Sequence, residues 1–470
     1  MFKHECGVIG IVSNLKNISY DLYFGLRSLQ HRGQESAGIS VFNVKRTMTH
    51  KGMGLVDEVF NKKDMKNLKG FKGIGHVRYS TTGKSNVENA QPIFARTCLG
   101  DFSLVHNGNI VNYRKLRKKL ESRGAIFLSD SDSELILHLL AFSGQKDLIS
   151  ALKEVLNKVK GAFSFIIMTP DFMLGVRDPH GFRPLVLGEN SFGHILASES
   201  CAISLLKGKI IREVKPGEVV VIDNKRHTNS FYFASPKPAM CVFEFIYFAR
   251  PDSYVFGQNV HQFRVRLGEK LADETNIDAD RIIPIPDSGI SASLGFSRKS
   301  GIPYDRGLIR DHYTGRTFIV PSPQDRKFKV RMKLNPIKSS IEGKKIVLLD
   351  DSIVRGTTSK IIVELVREHK PTSISFLTAS PPIRYPCYYG IDTPTRRELI
   401  AAQKTIEEIK KHLNVDKLHY LTIEGLKEVI GKKCDNFCFA CFTGKYPVKI
   451  SGGGKKKDSR LAETKQIKLF

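Results

Sequence analysis

Two adjacent carboxylates at the end of an apolar strand are the first candidates in this sequence for a binding site. Asp350 and Asp351 end the strand in VLLDDSIVRGTT, and a short Gly-containing loop then opens a helix. Backbone N–H groups at such a helix start bind phosphate, aided by the helix dipole and by the hydroxyls of Ser352, Thr357 and Thr358. The carboxylates can hold sugar hydroxyls or Mg²⁺. The alternative is an acidic strand end beside a capped helix.

Four of the eight cysteines are candidates for a metal site. Two residues separate Cys438 from Cys441, and Cys241 and Cys387 lie in two other segments. Four thiolates from three segments can bind Zn²⁺ or a 4Fe–4S cluster, and the spacing does not decide between them. Cys434, just before Cys438, is a further candidate. A disulfide framework is not expected in a long cytosolic chain.

The chain is strongly basic, with a formal charge of +27 from 74 Lys and Arg against 47 Asp and Glu. Such a charge suggests nucleic-acid binding. The basic residues are, however, spread over the whole chain without a stripe interleaved with aromatics. We interpret the charge as a solvated lysine surface with a minor contribution from binding an anionic substrate, and expect no nucleic-acid partner. Residues 451–470 are expected to form a flexible basic tail.

The elements that position these residues are expected to form at least two domains, because a chain of 470 residues is longer than one ordinary domain. Up to about residue 221, short strands alternate with turns and two good helices, one with Leu22, Leu26 and Leu29 on one face. This favours an α+β domain of antiparallel sheets with helices outside. From about residue 281, strand, loop and helix alternate, which is typical of a parallel, doubly wound sheet.

The sequence gives no sign of a membrane or export segment. No apolar run reaches the length that spans a bilayer, and the first residues lack the apolar core of a signal peptide. We therefore expect a cytoplasmic protein without a membrane partner.

The first half carries four short motifs: CGVIGI, LQHRGQESAGI, GHVRYSTTG and VHNGNI. Together they resemble the glutaminase domain of N-terminal nucleophile amidotransferases through about residue 225. The resemblance implies a four-layer αββα fold with Cys6 as nucleophile. An amide is a poor electrophile, so its attack requires a strong nucleophile such as a thiolate. A free thiol has a pKa of about 8.5, so little of it is ionised at neutral pH without a base. The implied base is the Cys6 α-amino group, with a pKa of about 7.7–8.0, once the propeptide 1–5 is removed.

The same resemblance assigns roles within the other motifs. The Asn107 side chain and the Gly108 N–H would form the oxyanion hole. Arg78 would bind the glutamine carboxylate through a bidentate fork, and Asp132 would bind its ammonium group. Residues implied to line the rest of the glutamine site are Arg32, Gly33 and Thr81.

Some of these residues also have simpler interpretations. His31 and His76 are candidates for core histidines, and Thr81 for a turn residue. Asp132 is a candidate cap for the helix predicted to begin at Ser133.

In the second half, VLLDDSIVRGTT and the earlier strand end PDSGIS resemble type I phosphoribosyltransferases, which use phosphoribosyl pyrophosphate. The resemblance implies an α/β domain with a parallel sheet. Asp350 and Asp351 would contact the ribose hydroxyls and one Mg²⁺, with Ser288 as a further Mg²⁺ ligand. The loop residues implied to bind the substrate are Ser352, Arg355, Gly356, Thr357 and Thr358. The segment 311–334 resembles a mobile hood, whose candidate clamps are Arg316, Lys327 and Arg331.

Both halves together resemble the iron–sulfur subgroup of the glutamine phosphoribosylpyrophosphate amidotransferases. The implied division is a glutaminase domain 6–230, a phosphoribosyltransferase domain 231–450 and the tail 451–470. The resemblance implies one structural 4Fe–4S cluster per subunit on Cys241, Cys387, Cys438 and Cys441. It also implies a homotetramer inhibited by purine nucleotides.

The implied reaction opens de novo purine synthesis. Ammonia from glutamine would displace pyrophosphate from phosphoribosyl pyrophosphate, giving 5-phosphoribosylamine. An internal passage would carry the ammonia, with FEFIYFARPDS and Tyr79 as candidate lining. The alternatives are a non-catalytic regulator that senses phosphoribosyl pyrophosphate, and an enzyme that uses free ammonia beside a vestigial glutaminase.

Overall fold

The computed structural model describes residues 6–79, 85–311, 331–391, 393 and 395–450. The predicted propeptide 1–5 and the predicted tail 451–470 lie outside these described residues, as do Thr81, Arg316 and Lys327.

Two antiparallel sheets form the first half of the chain. The first sheet has seven strands, in spatial order Lys209–Glu213, Val186–Asn190, Gly193–Ala197, Gly7–Ser13, Lys72–Arg78, Ser36–Phe42 and Thr47–Met53. The second has six strands, in spatial order Thr228–Tyr232, Glu218–Asp223, Phe172–Arg177, Gly161–Met168, Gly100–Ile110 and Ile93–Thr97. Apolar side chains from both sheets form one cluster that includes Val8, Val12, Ile74, Val105 and Ile166, so the sheets face each other.

Helices cover the two outer faces. Those against the first sheet are Ser19–Ser28, Val56–Val59, Lys62–Asn67 and Ser200–Leu205. Those against the second are Tyr113–Glu121, Glu134–Ala141 and Leu148–Lys158. Leu22, Leu26 and Leu29 are fully buried on one face, as their spacing predicts. The predicted αββα arrangement is therefore confirmed.

A four-stranded parallel sheet organises the second half. Its strands, in spatial order, are Arg281–Pro284, Lys345–Asp350, Ser373–Thr378 and Lys417–Tyr420. The α-helices of this half are Val260–Asp273, Ile290–Ser300, Lys338–Ile341, Thr357–Arg367, Ile400–Gln403, Ile406–Leu413, Ile423–Ile430 and Ala440–Thr443. Helices pack on both faces of the sheet, which confirms the predicted doubly wound α/β domain.

Short elements complete the described structure. Three small two-stranded pairs join Met240–Cys241 to Phe437–Cys438, Tyr254–Val255 to Gln258–Asn259, and Leu308–Arg310 to Leu334–Pro336. The 3₁₀ turns are Val87–Asn89, Arg396–Glu398 and Cys434–Asn436, and Glu244–Phe248 is a π-helix. Across residues 6–450, apart from the gaps given above, no helix is both long and apolar enough to cross a membrane.

One hydrophobic cluster contains residues from both halves. The cluster that surrounds one face of the parallel sheet also contains Ala162 and Phe182 from the first half. The Phe182 ring stacks on Tyr389 with centroids 4.2 Å apart. Beside this stack the Arg183 guanidinium donates to the Tyr389 carbonyl oxygen at 2.7 and 2.9 Å. The halves are therefore fixed against each other by packing and by directed hydrogen bonds.

Candidate active sites

Cys6 lies at the start of the strand Gly7–Ser13, in the centre of the first sheet. Gly7 is paired with Val77 of the neighbouring strand, which brings Cys6 beside Arg78 and Tyr79. The Cys6 thiol is buried and lies 3.6 Å from the Tyr79 carbonyl oxygen, to which it donates. The motif containing Arg78 is thus placed next to the thiol by strand pairing rather than by sequence proximity.

Asn107 and Gly108 lie in the strand Gly100–Ile110 of the facing sheet. The Asn107 Nδ2 is buried and has no hydrogen-bond partner within the described residues. Buried amide N–H groups are nearly always hydrogen-bonded. This N–H group is therefore placed to donate to an acceptor on a bound substrate, such as an oxyanion. Gly108 has φ of +149°, and a Cβ there would lie 2.1 Å from the Ala162 oxygen. Only glycine fits this backbone.

His76 connects the nucleophile's sheet to the predicted oxyanion strand. Its Nε2 donates to the carbonyl oxygen of His106, the residue before Asn107, at 3.0 Å. Burial lowers the pKa of His76 to about 3, so the ring is neutral at ordinary pH. The core-histidine interpretation of His76 fits this position.

Asp132 is buried, and its Oδ2 accepts a hydrogen bond from the Ile110 N–H at 2.8 Å. It is not a helix cap, because the helix Glu134–Ala141 begins after Ser133. Asp132 instead anchors the end of the strand that carries Asn107. The backbone of Gly33 lies against the Val77–Arg78 peptide, where a Cβ would meet atoms at 2.5 Å.

Arg32 is the least expected feature of this site. Its Nε donates to the Cys6 carbonyl oxygen at 3.0 Å. The rest of its fully buried guanidinium binds Glu199 at 2.5 Å and Glu244 at 2.8 Å. Sequence reasoning missed both glutamates and Arg183, which also approaches Glu244 at 3.3 Å. Of these three residues, Glu244 alone has a local signal, because it is an acidic residue inside the apolar run FEFIYF.

A cavity of about 550 Å³ opens at the carboxyl end of the parallel sheet. Of the residues predicted to bind phosphoribosyl pyrophosphate or Mg²⁺, it is lined by Ser288, Asp350, Asp351, Ser352, Arg355, Gly356, Thr357 and Thr358. The helix Thr357–Arg367 begins there with its N-terminus at the cavity wall. Tyr247, Arg264 and His31 also line the cavity, and His31 comes from the first half of the chain.

The acidic pair in this cavity is under electrostatic strain. Ser288 Oγ donates to Asp350 Oδ1 at 3.0 Å, and Ser352 Oγ donates to Asp351 Oδ2 at 2.5 Å. Burial, and then the neighbouring charge of Asp351, raise the pKa of Asp350 well above its usual value. A bound cation would relieve both effects. The predicted clamp Arg331 pairs instead with Glu368.

The four predicted cluster ligands meet in one place. Cys241 is the strand partner of Cys438, and Cys387 and Cys441 are buried beside them. Burial, and then the other three sulfurs, raise the pKa of Cys441 well above its usual value. Cys434 is instead partly exposed, with its sulfur 3.8 Å from Asp435. Among the described residues, no three His, Cys, Asp or Glu side chains are arranged to hold a single metal ion.

The comparisons agree with this geometry. A family model described as "Glutamine amidotransferase domain" matches residues 76–205. An amidophosphoribosyltransferase of Methanocaldococcus jannaschii is 46% identical, covering 95% of this chain and 98% of its own. One of Bacillus subtilis is 45% identical, covering 95% of this chain and 94% of its own.

A solved structure gives the same result. The glutamine phosphoribosylpyrophosphate amidotransferase from Bacillus subtilis, complexed with ADP and GMP, superposes with a TM-score of 0.91 at 44% identity. The match covers 96% of this chain and 99% of that one. A likeness of this extent runs through both halves of the chain, which belongs to the amidophosphoribosyltransferase family.

Proposed function

We propose that the chain converts glutamine, phosphoribosyl pyrophosphate and water into 5-phosphoribosylamine, glutamate and pyrophosphate, the first committed step of purine synthesis. The observation that carries this proposal is the closeness of the two sites. His31 lines the cavity of Asp350 and Asp351, while the adjacent Arg32 binds the Cys6 carbonyl. A shared wall suits two half-reactions that exchange ammonia.

In the glutaminase half, the Cys6 thiolate attacks the amide carbon of glutamine. The Cys6 α-amino group accepts the thiol proton and returns it to the departing ammonia, which leaves a thioester for water to hydrolyse. Asn107 Nδ2 and the Gly108 N–H supply the donors for the oxyanion. Arg78 binds the carboxylate of the substrate, and Asp132 binds its ammonium group. Gly33, Thr81 and the Arg32 backbone complete the site.

In the second half, ammonia attacks C1 of the ribose and pyrophosphate leaves. The helix start at Gly356–Thr358 binds the 5′-phosphate, and Asp350 and Asp351 bind the ribose hydroxyls. Ser288 with the two aspartates fits one Mg²⁺, because the set consists of hard oxygen donors. When bound, the cation would neutralise charge on the pyrophosphate. Enclosure of the ribose excludes water that would otherwise hydrolyse it.

Four buried thiols from three segments are a donor set that fits one 4Fe–4S cluster. Cys241, Cys387, Cys438 and Cys441 would hold it. Its role is structural, tying the C-terminal segment to the boundary between the halves.

The passage for ammonia is proposed along the π-helix Glu244–Phe248. Tyr247 lines the phosphoribosyl cavity, and Glu244 at the other end of the helix binds Arg32 next to Cys6. The buried aromatic rings of this helix are suited to carry neutral ammonia. We further propose a cytoplasmic homotetramer inhibited by purine nucleotides, in keeping with the ADP and GMP bound in the Bacillus subtilis structure.

Two rates measured on the same protein test the function. The parent should form phosphoribosylamine from glutamine and, separately, from ammonium salts. Cys6→Ala should lose the glutamine-dependent rate and keep a measurable ammonia-dependent rate. A non-catalytic regulator would show neither rate. An enzyme with a vestigial glutaminase would show only the ammonia-dependent rate, and Cys6→Ala would not change that rate. A Cys6→Ala variant that still used glutamine would contradict the nucleophile assignment.

Intact mass spectrometry of the anaerobic protein tests the remaining assignments. The denatured mass should correspond to a chain that begins at Cys6, because the amine base exists only there. The native mass should show four subunits and one cluster for each. A chain that retains residues 1–5 and still hydrolyses glutamine would refute the amine base.

A further inference from the structure

A buried amide side chain joins the strand of the proposed oxyanion donors to the segment of the proposed ammonium ligand. The Gln91 Oε1 accepts from the His106 N–H at 2.7 Å, and the Gln91 Nε2 donates to Ser133 Oγ at 3.0 Å. His106 directly precedes Asn107, and Ser133 directly follows Asp132. Gln91 and Ser133 therefore form a brace between the two residues proposed to bind opposite ends of glutamine.

The segment that carries Gln91 is itself held on two sides. Lys51 Nζ donates to the Ala90 carbonyl oxygen at 2.6 Å, which ties the segment to the first sheet. The Asp130 N–H donates to Asn89 Oδ1 at 3.0 Å, which ties it to the segment of Asp132. The amide of Gln91 thus has a fixed position relative to both neighbours.

The hydrogen bonds of the brace have one consistent direction. A backbone N–H can only donate, so the Gln91 oxygen faces His106 and the Gln91 amide N–H faces Ser133. His106 Nε2 lies 3.5 Å from the Ala162 carbonyl oxygen, which can only accept, so Nε2 carries the proton of the neutral ring. Ser133 Oγ lies 3.0 Å from His106 Nδ1. It therefore accepts from Gln91 and donates its one proton to Nδ1.

This direction keeps one oxygen of Asp132 for a substrate. Asp132 Oδ2 accepts from the Ile110 N–H at 2.8 Å, whereas Oδ1 lies 3.7 Å from His106 Nδ1. A protonated Nδ1 would be attracted to that oxygen, but Nδ1 already accepts the Ser133 hydroxyl proton. The brace thus prevents His106 from pairing with Oδ1, and it also fixes the separation between Oδ1 and the Asn107 side chain.

We propose that Gln91 and Ser133 are positioning residues that set the preference of the glutaminase site for amides carrying an α-ammonium group. The proposal rests on the proposed function, in which Asn107 binds the oxyanion and Asp132 binds the α-ammonium group. Both contacts form together only when their separation matches the length of the glutamine side chain, and the brace fixes that separation. Gln91 and Ser133 act through their neighbours and not by contact with the substrate.

Two substrates distinguish this role from a general effect on folding. Glutaramate, the monoamide of glutaric acid, has the amide and carboxylate of glutamine but lacks the α-ammonium group. The measured quantity is the kcat/KM of glutamine hydrolysis divided by that of glutaramate hydrolysis, with phosphoribosyl pyrophosphate present throughout. The parent should favour glutamine about 10- to 100-fold, the usual effect of a hydrogen bond to a charged group. If the parent does not hydrolyse glutaramate, the inhibition constant of glutaramate divided by the KM of glutamine is compared instead.

Two variants remove the brace at different atoms. Ser133→Ala removes the donor to His106, and the nearly isosteric Gln91→Met removes both hydrogen bonds of the amide. Each should lower the ratio about tenfold, because glutamine loses its contact with Asp132 whereas glutaramate does not make that contact. The double variant should have the same ratio as the single variants, since both substitutions break one connection. Ammonia-dependent phosphoribosylamine formation checks that each variant folds.

The control variant is Asn190→Leu, which removes a comparable bridging amide. Asn190 Oδ1 accepts from the Gly193 N–H at 3.0 Å, and its Nδ2 donates to the Leu206 carbonyl oxygen at 3.1 Å. Gly193 pairs with Ser13, at the end of the strand Gly7–Ser13 opposite to Cys6. Asn190→Leu should therefore keep the parent ratio.

The possible outcomes separate the brace from the proposed function. A parent ratio in either Ser133→Ala or Gln91→Met would overturn the brace and leave the proposed function standing. If Gln91→Met fails to fold, Ser133→Ala alone decides. A parent protein that hydrolyses glutamine and glutaramate equally well would overturn the assignment of Asp132, and the brace with it. A parent protein that hydrolyses neither amide would overturn the proposed function.

Discussion

Gly390 packs directly against Gly108, so that a Cβ on Gly390 would lie 3.1 Å from the Gly108 Cα. Next to this contact, Asn109 Nδ2 donates to the Tyr388 carbonyl oxygen at 2.8 Å. The segment that follows Cys387 therefore supports the strand proposed to bind the oxyanion. A side chain on Gly390 would press on the Gly108 backbone, so the second half of the chain contributes to the shape of the strand that carries Asn107 and Gly108.

Gly390→Ala is expected to impair glutamine use selectively. Gly390 has φ of +107°, which is unfavourable for alanine, and the added methyl would press on Gly108. We expect glutamine-dependent turnover to fall about tenfold more than ammonia-dependent turnover, since losing one oxyanion donor costs about 100-fold. The matched control is Gly124→Ala, at φ of +90° with open space around it. Equal losses in the two variants would contradict the contact's role.

Asp351→Asn is expected to impair both activities, because ammonia from either source reacts in the same cavity. We expect phosphoribosylamine formation from glutamine and from ammonia to fall together, by about 100-fold, because even the residues that only support metal ligands cost about 10- to 100-fold when mutated. Titration calorimetry with phosphoribosyl pyrophosphate and Mg²⁺ should show weakened binding. Asp278→Asn, at the far end of the same sheet, where Asp278 binds Lys345, should bind normally. Normal binding by Asp351→Asn would refute the assignment.

Cys438→Ser is expected to abolish iron binding and lower the melting temperature. Burial raises the pKa of Cys438 to about 12, so the thiol without a metal is neutral, and metal binding must displace its proton. Iron analysis and visible absorbance should show about four irons for each parent chain and none in the variant. Cys98→Ser, at an exposed thiol, should keep its iron. If the parent protein contained zinc and no iron, the four cysteines would be assigned to a single Zn²⁺ ion instead of a cluster.

His76→Gln is expected to make the protein less sensitive to acid. Burial lowers the pKa of His76 to about 3, whereas the unfolded side chain titrates near pH 6.5. Between these values the unfolded state binds a proton that the folded state does not, so stability falls as pH decreases below about 6.5. Glutamine keeps a donor for the His106 carbonyl and does not titrate. Denaturant unfolding at pH 7 and pH 5 should show that the free energy of unfolding decreases less in the variant than in the parent. An equal decrease would mean that other titratable groups cause the acid sensitivity.

The sequence predicted the elements whose pattern is local. The helix that carries Leu22 and Leu26 forms as Ser19–Ser28, and the Asp350–Thr358 loop lies between a strand and a helix, as expected. The strand Lys417–Tyr420 was not predicted, because its short sequence KLHY has little apolar signal at the edge of the sheet. The π-helix Glu244–Phe248 was likewise not distinguishable from other apolar runs.

The site was predicted where one motif supplies its residues and missed where distant segments meet. Arg32 was expected to line the glutamine site, but its guanidinium binds Glu199 and Glu244, which are 167 and 212 positions away. A buried acid has no local signature that names its partner. Only the fold brings these charges together.

The stacking of Phe182 on Tyr389 has a consequence for protein engineering. Because one hydrophobic cluster spans the boundary between the halves, a gene shortened to residues 6–230 would leave Phe182 exposed and Arg183 without its carbonyl acceptor. The glutaminase is therefore not an interchangeable module. Grafting it onto another synthase would also require the Tyr388–Gly390 segment, which packs against Gly108 and accepts a hydrogen bond from Asn109.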